Sequence, residues 1–338
     1  MPAPARPRPA TPAATTTTAV AYDRYGPPDV LAVTQVPMPV PGPDDVVLAV
    51  EAVAVSRAET AFRAGDPPLA RLATGLRRPR NRVLGGDVGG RVVAVGERVI
   101  RVQRGDRVVA QTGIAMGGYA RHVRVPAASV VPVPDGVGTH EAVALVEGGS
   151  TALPFLRDHA HVRPGTRLLV HGAAGAVGAA AVQLAAHLGA DVTGVCGPDH
   201  VALVRSLGAA TVVDRTVTPV ERVRGTFDVV LDAVGASSFR RCRHLLAPRG
   251  LYLTTVPSAG ILVRTALRPL ARGRTAAIAF TGLRPAADKA SDAVHLLGLA
   301  ADGAVRGVVD RTWPLEEAAA AHAYVDAGHK AGAVLLLP

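Results

Sequence analysis

One stretch of the sequence decides the fold: His171-Gly172-Ala173-Ala174-Gly175-Ala176-Val177-Gly178. An apolar run at 167–170 precedes it and predicts a strand, and an Ala-rich run at 176–188 follows it and predicts a helix. Small residues let the backbone approach a diphosphate, and a helix N-terminus presents free N–H groups and the positive end of a dipole. The stretch therefore predicts a dinucleotide-binding turn. An ordinary Gly-rich turn is the alternative that a single motif leaves open.

Strands and helices alternate on both sides of this turn. Further strands are predicted at 191–195, 211–213, 227–231 and 251–254, and further helices at 139–159 and 198–207. Thr139 is the expected N-cap of the first of these helices. Alternation at this pitch predicts a parallel, doubly wound α/β sheet.

The rest of the chain has a different pattern. Before Gly138, short β-branched runs are broken by Gly, Pro and Asp, which predicts a half-open β-barrel. Helices at 286–302 and 315–327 and strands at 308–311 and 334–337 follow the doubly wound region. The expected division is a disordered tail at 1–18, a barrel domain at 19–137 completed by 284–338, and a nucleotide-binding domain at 138–283.

Bulk composition argues against several classes of function. The tail has no apolar core for a secretory signal, and no run approaches the roughly 20 apolar residues of a membrane helix, so we expect a cytoplasmic protein without a membrane partner. The formal charge is +10, but the basic residues are scattered and nearly all arginine, with Lys289 and Lys330 the only lysines. Scattered charge with few aromatic residues argues against a nucleic-acid partner. Arg264, Arg268, Arg272 and Arg274 form one local run, expected to be a solvated face or a rim near the cofactor entrance. The two cysteines, Cys196 and Cys242, are expected to be buried or idle thiols.

The end of the second predicted strand bears on the choice of dinucleotide. An NAD site usually carries Asp or Glu there, whereas this strand runs into Cys196 and Gly197. A carboxylate would repel a 2′-phosphate, so its absence favours NADPH, although Asp199 lies slightly further on. His200 and Arg215 are candidate partners for the phosphate, and each is alternatively a plain surface residue.

Several ordered motifs together resemble the zinc-free quinone oxidoreductase branch of the medium-chain dehydrogenase/reductase superfamily. They are 22–31, Gly105-Asp106-Arg107-Val108, Gly117-Gly118-Tyr119-Ala120, 165–185, 227–235 and 310–315. The resemblance covers about residues 19–338 and implies a GroES-like β-barrel domain around a Rossmann domain, with the site in the cleft between them and commonly a homodimer. It also implies that Thr151 approaches the nicotinamide or its ribose and that Val234 and Gly235 flank it.

The same superfamily contains zinc alcohol dehydrogenases, whose ligand positions can be located in this chain. They fall at Ser56, at Gly86 (followed by Asp87) and near Glu147. Ser56 is a poor zinc ligand and Gly86 has no side chain, whereas catalytic zinc needs about three protein ligands. We therefore expect no metal.

Without zinc, simple alcohol–ketone exchange lacks its main electrostatic stabilisation. A quinone or an α,β-unsaturated carbonyl is less demanding, because charge spreads into an enolate or hydroquinone anion. The resemblance places Ser56 against the substrate, where the family often has Asn, and a Tyr of some relatives is replaced by Ala61. Tyr119 either lines the cleft or packs. Glu147 either protonates the reduced product or pairs at the domain junction.

Two other functions stay open. One is an enoyl thioester reductase, whose acidic carrier partner would meet the run from Arg264 to Arg274. The other is a nucleotide-sensing or RNA-binding protein that keeps the fold without catalysis, because the Asn and Tyr equivalents are missing. The leading hypothesis is an NADPH-dependent, zinc-independent reductase of quinones or enones.

Overall fold

The structure is a computed structural model and describes residues 15–66 and 71–338. Its strands are β1 Thr16–Ala21, β2 Ala32–Pro37, β3 Asp45–Ala54, β4 Asp87–Val95, β5 Arg107–Gln111, β6 His122–Pro126, β7 Val130–Pro132, β8 Arg167–His171, β9 Asp191–Cys196, β10 Thr211–Asp214, β11 Phe227–Asp232, β12 Leu246–Thr254, β13 Thr275–Ile278, β14 Val309–Pro314 and β15 Ala333–Leu337. Its α-helices are α1 Arg57–Ala64, α2 Arg71–Thr74, α3 Thr139–Pro154, α4 Ala176–His187, α5 Val201–Ser206, α6 Phe239–Cys242, α7 Ala259–Leu267, α8 Ala286–Ala301 and α9 Ala318–Ala327.

Six strands form an all-parallel sheet in the order β10-β9-β8-β11-β12-β13. The chain order reverses between β8 and β11, where the C-terminal ends of these two neighbouring strands leave a crevice for a ligand. Val170 and Leu231 lie side by side in this pair and are fully buried. Strands that are covered on both faces have continuous apolar sequences. The alternation of strands and helices could therefore be predicted from the sequence. The predicted doubly wound sheet is confirmed.

Seven strands form the second sheet, in which β14-β15-β3-β4-β5-β7 are successive neighbours and β6 also pairs with β3. Apart from the parallel β14–β15 pair, its pairings are antiparallel, and β1 and β2 form a separate hairpin. The chain returns to this sheet after the parallel one, since Leu335 pairs with Ala54 and Leu336 with Val53. This is the GroES-like component that the sequence resemblance implied.

Helix α3 joins the two sheets. Its residues pack on one side against α4 and on the other against β3, β4 and β15. Ala142, Val143 and Val146 belong to the cluster that buries Ala52 and Leu335 of the seven-stranded sheet. Leu145 and Ala152 belong to the core of the parallel sheet. Helix α3 therefore packs between the two sheets.

Four details differ from the sequence predictions. The tail was predicted to reach Thr18, but residues 16–18 pair with β2 in strand β1, and residues 1–14 lie outside the described part of the chain. Gly138, not Thr139, is the N-cap of α3, because Gly138 is the last residue with an extended backbone, and the Thr139 hydroxyl instead donates to Glu51 Oε2 at 2.8 Å. The predicted helix 139–159 continues past Pro154 as one π-helical turn, Phe155–His159. The predicted helix 198–207 opens with a 3₁₀ turn, Pro198–His200, because Pro198 follows an extended Gly197.

Candidate active site

The turn from Gly172 to Gly178 has the geometry of a diphosphate-binding turn. Gly172 has φ +79°, a conformation that favours glycine, and a Cβ on Gly178 would lie 2.0 Å from the Gly172 carbonyl oxygen. Gly175 is the N-cap of α4, and the first helical bond runs from Ala179 N to Gly175 O at 2.7 Å. The N–H groups of Ala176, Val177 and Gly178 precede that bond and are available to an anion.

Helix α3 comes close to this turn through Gly148. A Cβ on Gly148 would lie 2.2 Å from the Ala176 carbonyl oxygen, so only glycine permits this approach. The flanking residues Glu147 and Thr151, one helical turn apart, share the same face of α3. Thr151 Oγ1 lies 3.3 Å from Thr281 Oγ1, which joins α3 to the segment before α8. The turn, Thr151 and Glu147 thus line one region.

The loop after β11 is organised by one buried carboxylate, Asp232. Its Oδ1 accepts hydrogen bonds from Val234 N at 3.2 Å and Gly235 N at 2.8 Å. Its Oδ2 accepts from Ser237 N at 3.1 Å and from Tyr252 Oη at 2.8 Å. Val234 is 48% exposed, and a Cβ on Gly172 would lie 2.4 Å from its Cγ1. Asp232 therefore holds Val234 and Gly235 beside the dinucleotide turn.

The end of β9 lies beside two opposite charges, Asp214 and Arg215. Cys196 is buried, and its carbonyl accepts from Arg215 N at 2.9 Å. The Arg215 guanidinium would lie 3.7 Å from a Cβ on Gly197, so it stands directly beside this glycine. His200 Nε2 donates to the His329 carbonyl at 3.2 Å, which ties His200 to the segment before β15. Arg215 thus faces the position where an NAD site usually carries a carboxylate.

Ser56 is tied down by a capping box at the start of α1. Its Oγ accepts from Glu59 N at 3.2 Å, and Glu59 Oε2 accepts from Ser56 N at 2.8 Å. The other carboxylate oxygen, Oε1, accepts from Gly86 N at 2.7 Å. Glu59 therefore links the backbone amides of Ser56 and Gly86, which are two of the positions where zinc relatives carry metal ligands. With Oγ accepting from the amide, the Ser56 hydroxyl proton is free to donate into the cleft.

Tyr119 does not line the cleft. The side chain is fully buried, and its hydroxyl lies 2.9 Å from His322 Nε2 and donates to Glu59 Oε2 at 3.3 Å. Burial lowers the pKa of His322 to about 3, so the imidazole is neutral. The catalytic role considered for Tyr119 is wrong, because its only polar atom is already committed within the barrel core.

Glu147 faces a lysine. Its Oε1 lies 3.4 Å from Lys330 Nζ, and the two side chains are 7% and 13% exposed. Its Oε2 is buried and has no hydrogen-bond partner among the described residues. Burial raises the pKa of Glu147, Lys330 opposes this rise, and Asp87 adds to it. The pairing alternative for Glu147 is thus observed, while Oε2 keeps a free acceptor.

Two family models match this chain. The one described as an alcohol dehydrogenase GroES-like domain matches residues 42–135, and the one described as a zinc-binding dehydrogenase matches residues 207–336. Quinone oxidoreductase of Pseudomonas aeruginosa is 31% identical over 330 residues, which cover 94% of this chain and 99% of that protein. The chain belongs to the quinone oxidoreductase-like branch of the medium-chain dehydrogenase/reductase superfamily.

Other members of the superfamily are similar along nearly their whole length. The 2-haloacrylate reductase of a Burkholderia species is 29% identical over 337 residues, covering 95% of this chain and 98% of that protein. The structure of the quinone oxidoreductase from Coxiella burnetii superposes with a TM-score of 0.84 at 25% identity, covering 96% of this chain and all of that one. A mycobacterial structure solved with NADPH superposes with a TM-score of 0.79 at 29% identity, covering 95% and 100%. This chain is accordingly an oxidoreductase by family.

The zinc implied by one family description does not fit the residues of this quinone oxidoreductase-like chain. Gly86 offers no donor, Ser56 Oγ is engaged as a helix cap, and Glu147 is paired with Lys330. Within residues 15–66 and 71–338, no three His, Cys, Asp or Glu side chains are grouped so that they could hold a metal ion. The whole sequence has only two cysteines, so a four-cysteine zinc lobe is excluded as well.

Three residues that matter in this site were not singled out by sequence reasoning. Glu59 could have been found from the pattern Ser56-x-x-Glu59, which is a capping-box signature. Asp232 could have been found because it ends a buried strand just before Val234-Gly235. Lys330 carried no local signal, because its contact with Glu147 joins residues that are far apart in the sequence.

We expect the pH dependence of stability to change in a Glu59→Gln variant. Burial raises the pKa of Glu59 from 4.5 to about 7, so the neutral form is favoured in the folded state. The associated stability is complete below pH 4.5 and is lost as the pH rises through 7. The free energy of unfolding of the native chain should therefore fall by about 2–3 kcal/mol between pH 5 and 8 through this group, and that fall should be missing in the variant. Urea unfolding of both proteins across this pH range measures the two free energies of unfolding. If they fall by the same amount between pH 5 and 8, the raised pKa of Glu59 is contradicted.

Proposed function

We propose that this protein is a zinc-independent, NADPH-dependent reductase that transfers hydride to a quinone or an α,β-unsaturated carbonyl. The observation that carries the proposal is the approach of helix α3 to the turn at 172–178 through Gly148, which brings Glu147 and Thr151 near the turn that also contacts Val234. NADPH, when bound, supplies the hydride. The ligand set that would polarise a simple ketone is not present among these residues, which favours acceptors that spread negative charge by conjugation.

The chain's own residues would have five roles. Gly172–Gly178 hold the diphosphate, and Arg215 neutralises the 2′-phosphate beside Cys196 and Gly197. Thr151 and the Val234–Gly235 loop position the nicotinamide. Ser56 donates its hydroxyl proton towards the acceptor. Glu147 shapes the floor of the cleft, where its protonated form can return a proton to the reduced product. The names of the quinone oxidoreductase and 2-haloacrylate reductase relatives support acceptors of this kind.

The division into a barrel domain (19–137 with 284–338) and a nucleotide-binding domain (138–283) belongs to this proposal, as does a homodimer. None of the helices in the described part of the chain is long and apolar enough to cross a membrane. The arginine run does not support an acidic carrier partner: Arg264 lies 4.6 Å over the Phe239 ring, and Arg268 and Arg274 donate to the carbonyls of His159 and Leu246. These arginines are held by the protein itself, which disfavours the enoyl thioester alternative.

The deciding experiment is a screen of NADPH and NADH oxidation with quinones, enones and enoyl thioesters as acceptors. We expect turnover with quinones or enones and NADPH. Turnover confined to enoyl thioesters would favour the alternative, and nucleotide binding without turnover on any acceptor would leave only a nucleotide-sensing role.

We expect an Arg215→Ala variant to lose most of the preference for NADPH. A hydrogen bond to a charged group contributes about 1.5–3 kcal/mol, so the dissociation constant for NADPH should rise by 10- to 100-fold while that for NADH changes little. Quenching of protein fluorescence or enhancement of nucleotide fluorescence measures both constants. Arg249→Ala is the matched control, because Arg249 is exposed ahead of Leu251 in β12, which β8 and β11 separate from β9 in the parallel sheet. An equal loss for both nucleotides would remove Arg215 from the 2′-phosphate site.

A further inference from the structure

The chain uses lysine at only two of its 37 basic positions, and both lysines are largely buried. Lys289 is 9% exposed, and the Lys330 side chain is 13% exposed. Lysine is almost never buried unless it is paired. Lys289 Nζ donates to the Gly282 carbonyl at 3.4 Å, whereas Lys330 Nζ lies against a carboxylate. Because nearly all other basic residues of the chain are arginine, the lysine at position 330 calls for a structural reason.

The backbone around Lys330 is fixed to the nucleotide site on both sides. His329 O accepts from His200 Nε2, and Gly332 N donates to the Ala174 carbonyl at 2.7 Å. Gly332 has φ +93°, and a Cβ there would lie 2.2 Å from the Val308 carbonyl oxygen. The side chain of Lys330 is therefore directed from a rigid segment that lies across the dinucleotide turn.

The ammonium of Lys330 has unused hydrogen-bonding capacity. Of its three N–H groups, one is directed to Glu147 Oε1 at 3.4 Å, which is the only polar partner of Nζ in the described ranges. The neighbouring Glu147 Oε2 is buried and also lacks a partner there. Glu147 is one helical turn from Thr151, which the proposed function assigns to the nicotinamide, so both unused groups would lie near that ring. An adjacent donor and acceptor of this kind are suited to a polar ligand.

We propose that Lys330 is the cation that stabilises the negative charge developing on the acceptor oxygen, at the place where zinc relatives position their metal. This inference rests on the proposed reductase function. Hydride adds to the β carbon of an enone, the C=C electron pair moves into the carbonyl, and an enolate oxygen forms. An N–H of Lys330 donates to that oxygen. The protonated Glu147 carboxyl of the proposed function then gives its proton to the α carbon, which restores the carbonyl, completes the reduction and leaves Glu147 as a carboxylate.

The local charges agree with this role. Glu147 adjoins Lys330, the charges of Glu59 and Asp87 interact with that of Glu147, and Lys289 faces Asp87 from α8. Burial raises the pKa of all three carboxyl groups, which reduces the negative charge that an oxyanion would meet. Lysine suits the task better than arginine, because the ammonium is a compact point charge with rotatable donors.

The test compares Lys330→Met and Lys330→Arg with the native chain, using cyclohexenone and 1,4-benzoquinone as acceptors at saturating NADPH. An enolate concentrates charge on one oxygen more than a hydroquinone anion does. Loss of one donor to a developing oxyanion costs about 100-fold in turnover. We therefore expect kcat to fall about 100-fold with cyclohexenone and about tenfold with benzoquinone in Lys330→Met, with partial recovery in Lys330→Arg.

A second readout does not depend on turnover. The affinity of the NADP⁺-saturated protein for 4-nitrophenolate, an anion that mimics the enolate, should fall about tenfold in Lys330→Met. Lys289→Met is the matched control, with less than a threefold effect on either readout.

A similar loss with both acceptors, or a weaker NADPH affinity with unchanged kcat, would overturn the proposal and make Lys330 a structural or cofactor-binding residue. If Lys330→Met does not fold, Lys330→Gln against Lys330→Arg makes the same comparison. A native chain that fails to bind NADPH would refute the proposed function instead.

Discussion

A Gly178→Ala variant is expected to lose dinucleotide binding. The added Cβ would lie 2.0 Å from the Gly172 carbonyl oxygen and 2.9 Å from Ala173 Cα, and both of these are backbone atoms that cannot rotate away. Helix α4 must therefore move from β8, which moves the N–H groups that would bind the diphosphate. Overpacking of this kind costs about 3 kcal/mol in stability. We expect the dissociation constant for NADPH to rise at least 100-fold, measured by nucleotide fluorescence.

Gly298→Ala is the matched control for that substitution. Gly298 lies in α8, and nothing stands within 4 Å of a Cβ built there. Alanine favours a helix over glycine by about 0.5–1 kcal/mol, so this variant should melt slightly higher than the native chain and bind NADPH normally. Normal binding by Gly178→Ala would show that the turn does not hold the dinucleotide.

The second large effect is expected for Asp232→Ala. The substitution leaves the amides of Val234, Gly235 and Ser237 and the hydroxyl of Tyr252 without their acceptor, and His171 Nδ1 loses the carboxylate oxygen 3.3 Å away. Removal of one partner from a buried charged network costs about 3–5 kcal/mol. The free energy of unfolding should fall by that amount in urea, and NADPH affinity should fall as the Val234–Gly235 loop loosens.

The exposed Asp228 on the same strand provides the control. It pairs with Arg167 at 3.3 Å, and both side chains are more than two-fifths exposed, so Asp228→Ala should cost less than about 1 kcal/mol. Burial alone would raise the pKa of Asp232, but its contacts with His171, Tyr252 and Ser237 outweigh burial and lower it. The stability that Asp232 contributes is therefore present above its unfolded pKa of 3.8 and is lost as the pH falls below that value. Equal costs for the two variants would contradict the role given to Asp232.

The sequence was sufficient for the parts of the fold that follow from local pattern. Strands buried on both faces are continuous apolar runs, so the parallel sheet could be predicted from the sequence. The turn could be predicted as well, because Gly172 has a positive φ and a Cβ on Gly178 would collide with backbone. The ordered motifs of the family predicted the β-barrel and the return of the C-terminal segment to it. Local pattern also misled, as when residues 16–18 were assigned to a tail although partner strand β2 holds them in a sheet.

The polar interior of the site could not be predicted in the same way. Tyr119 stands in a recognisable motif, yet its burial depends on His322, which is far along the chain. Lys330 meets Glu147 only because β15 pairs with β3 and brings the preceding segment across the cleft. Contacts between distant residues leave no periodicity in a single sequence, so hydrogen-bond partners and shifted pKa values required the structure.

The pairing of β15 with β3 has a consequence for biosynthesis. Ala54 pairs with Leu335, and Val55 N donates to the Val334 carbonyl at 2.8 Å, so the barrel can close only after the ribosome has added β15. The segment that closes it also carries the Gly332–Ala174 bond at the nucleotide turn. A nascent chain released short of this strand would have neither a finished barrel nor a finished cleft. The addition of β15 therefore completes both the barrel and the candidate site.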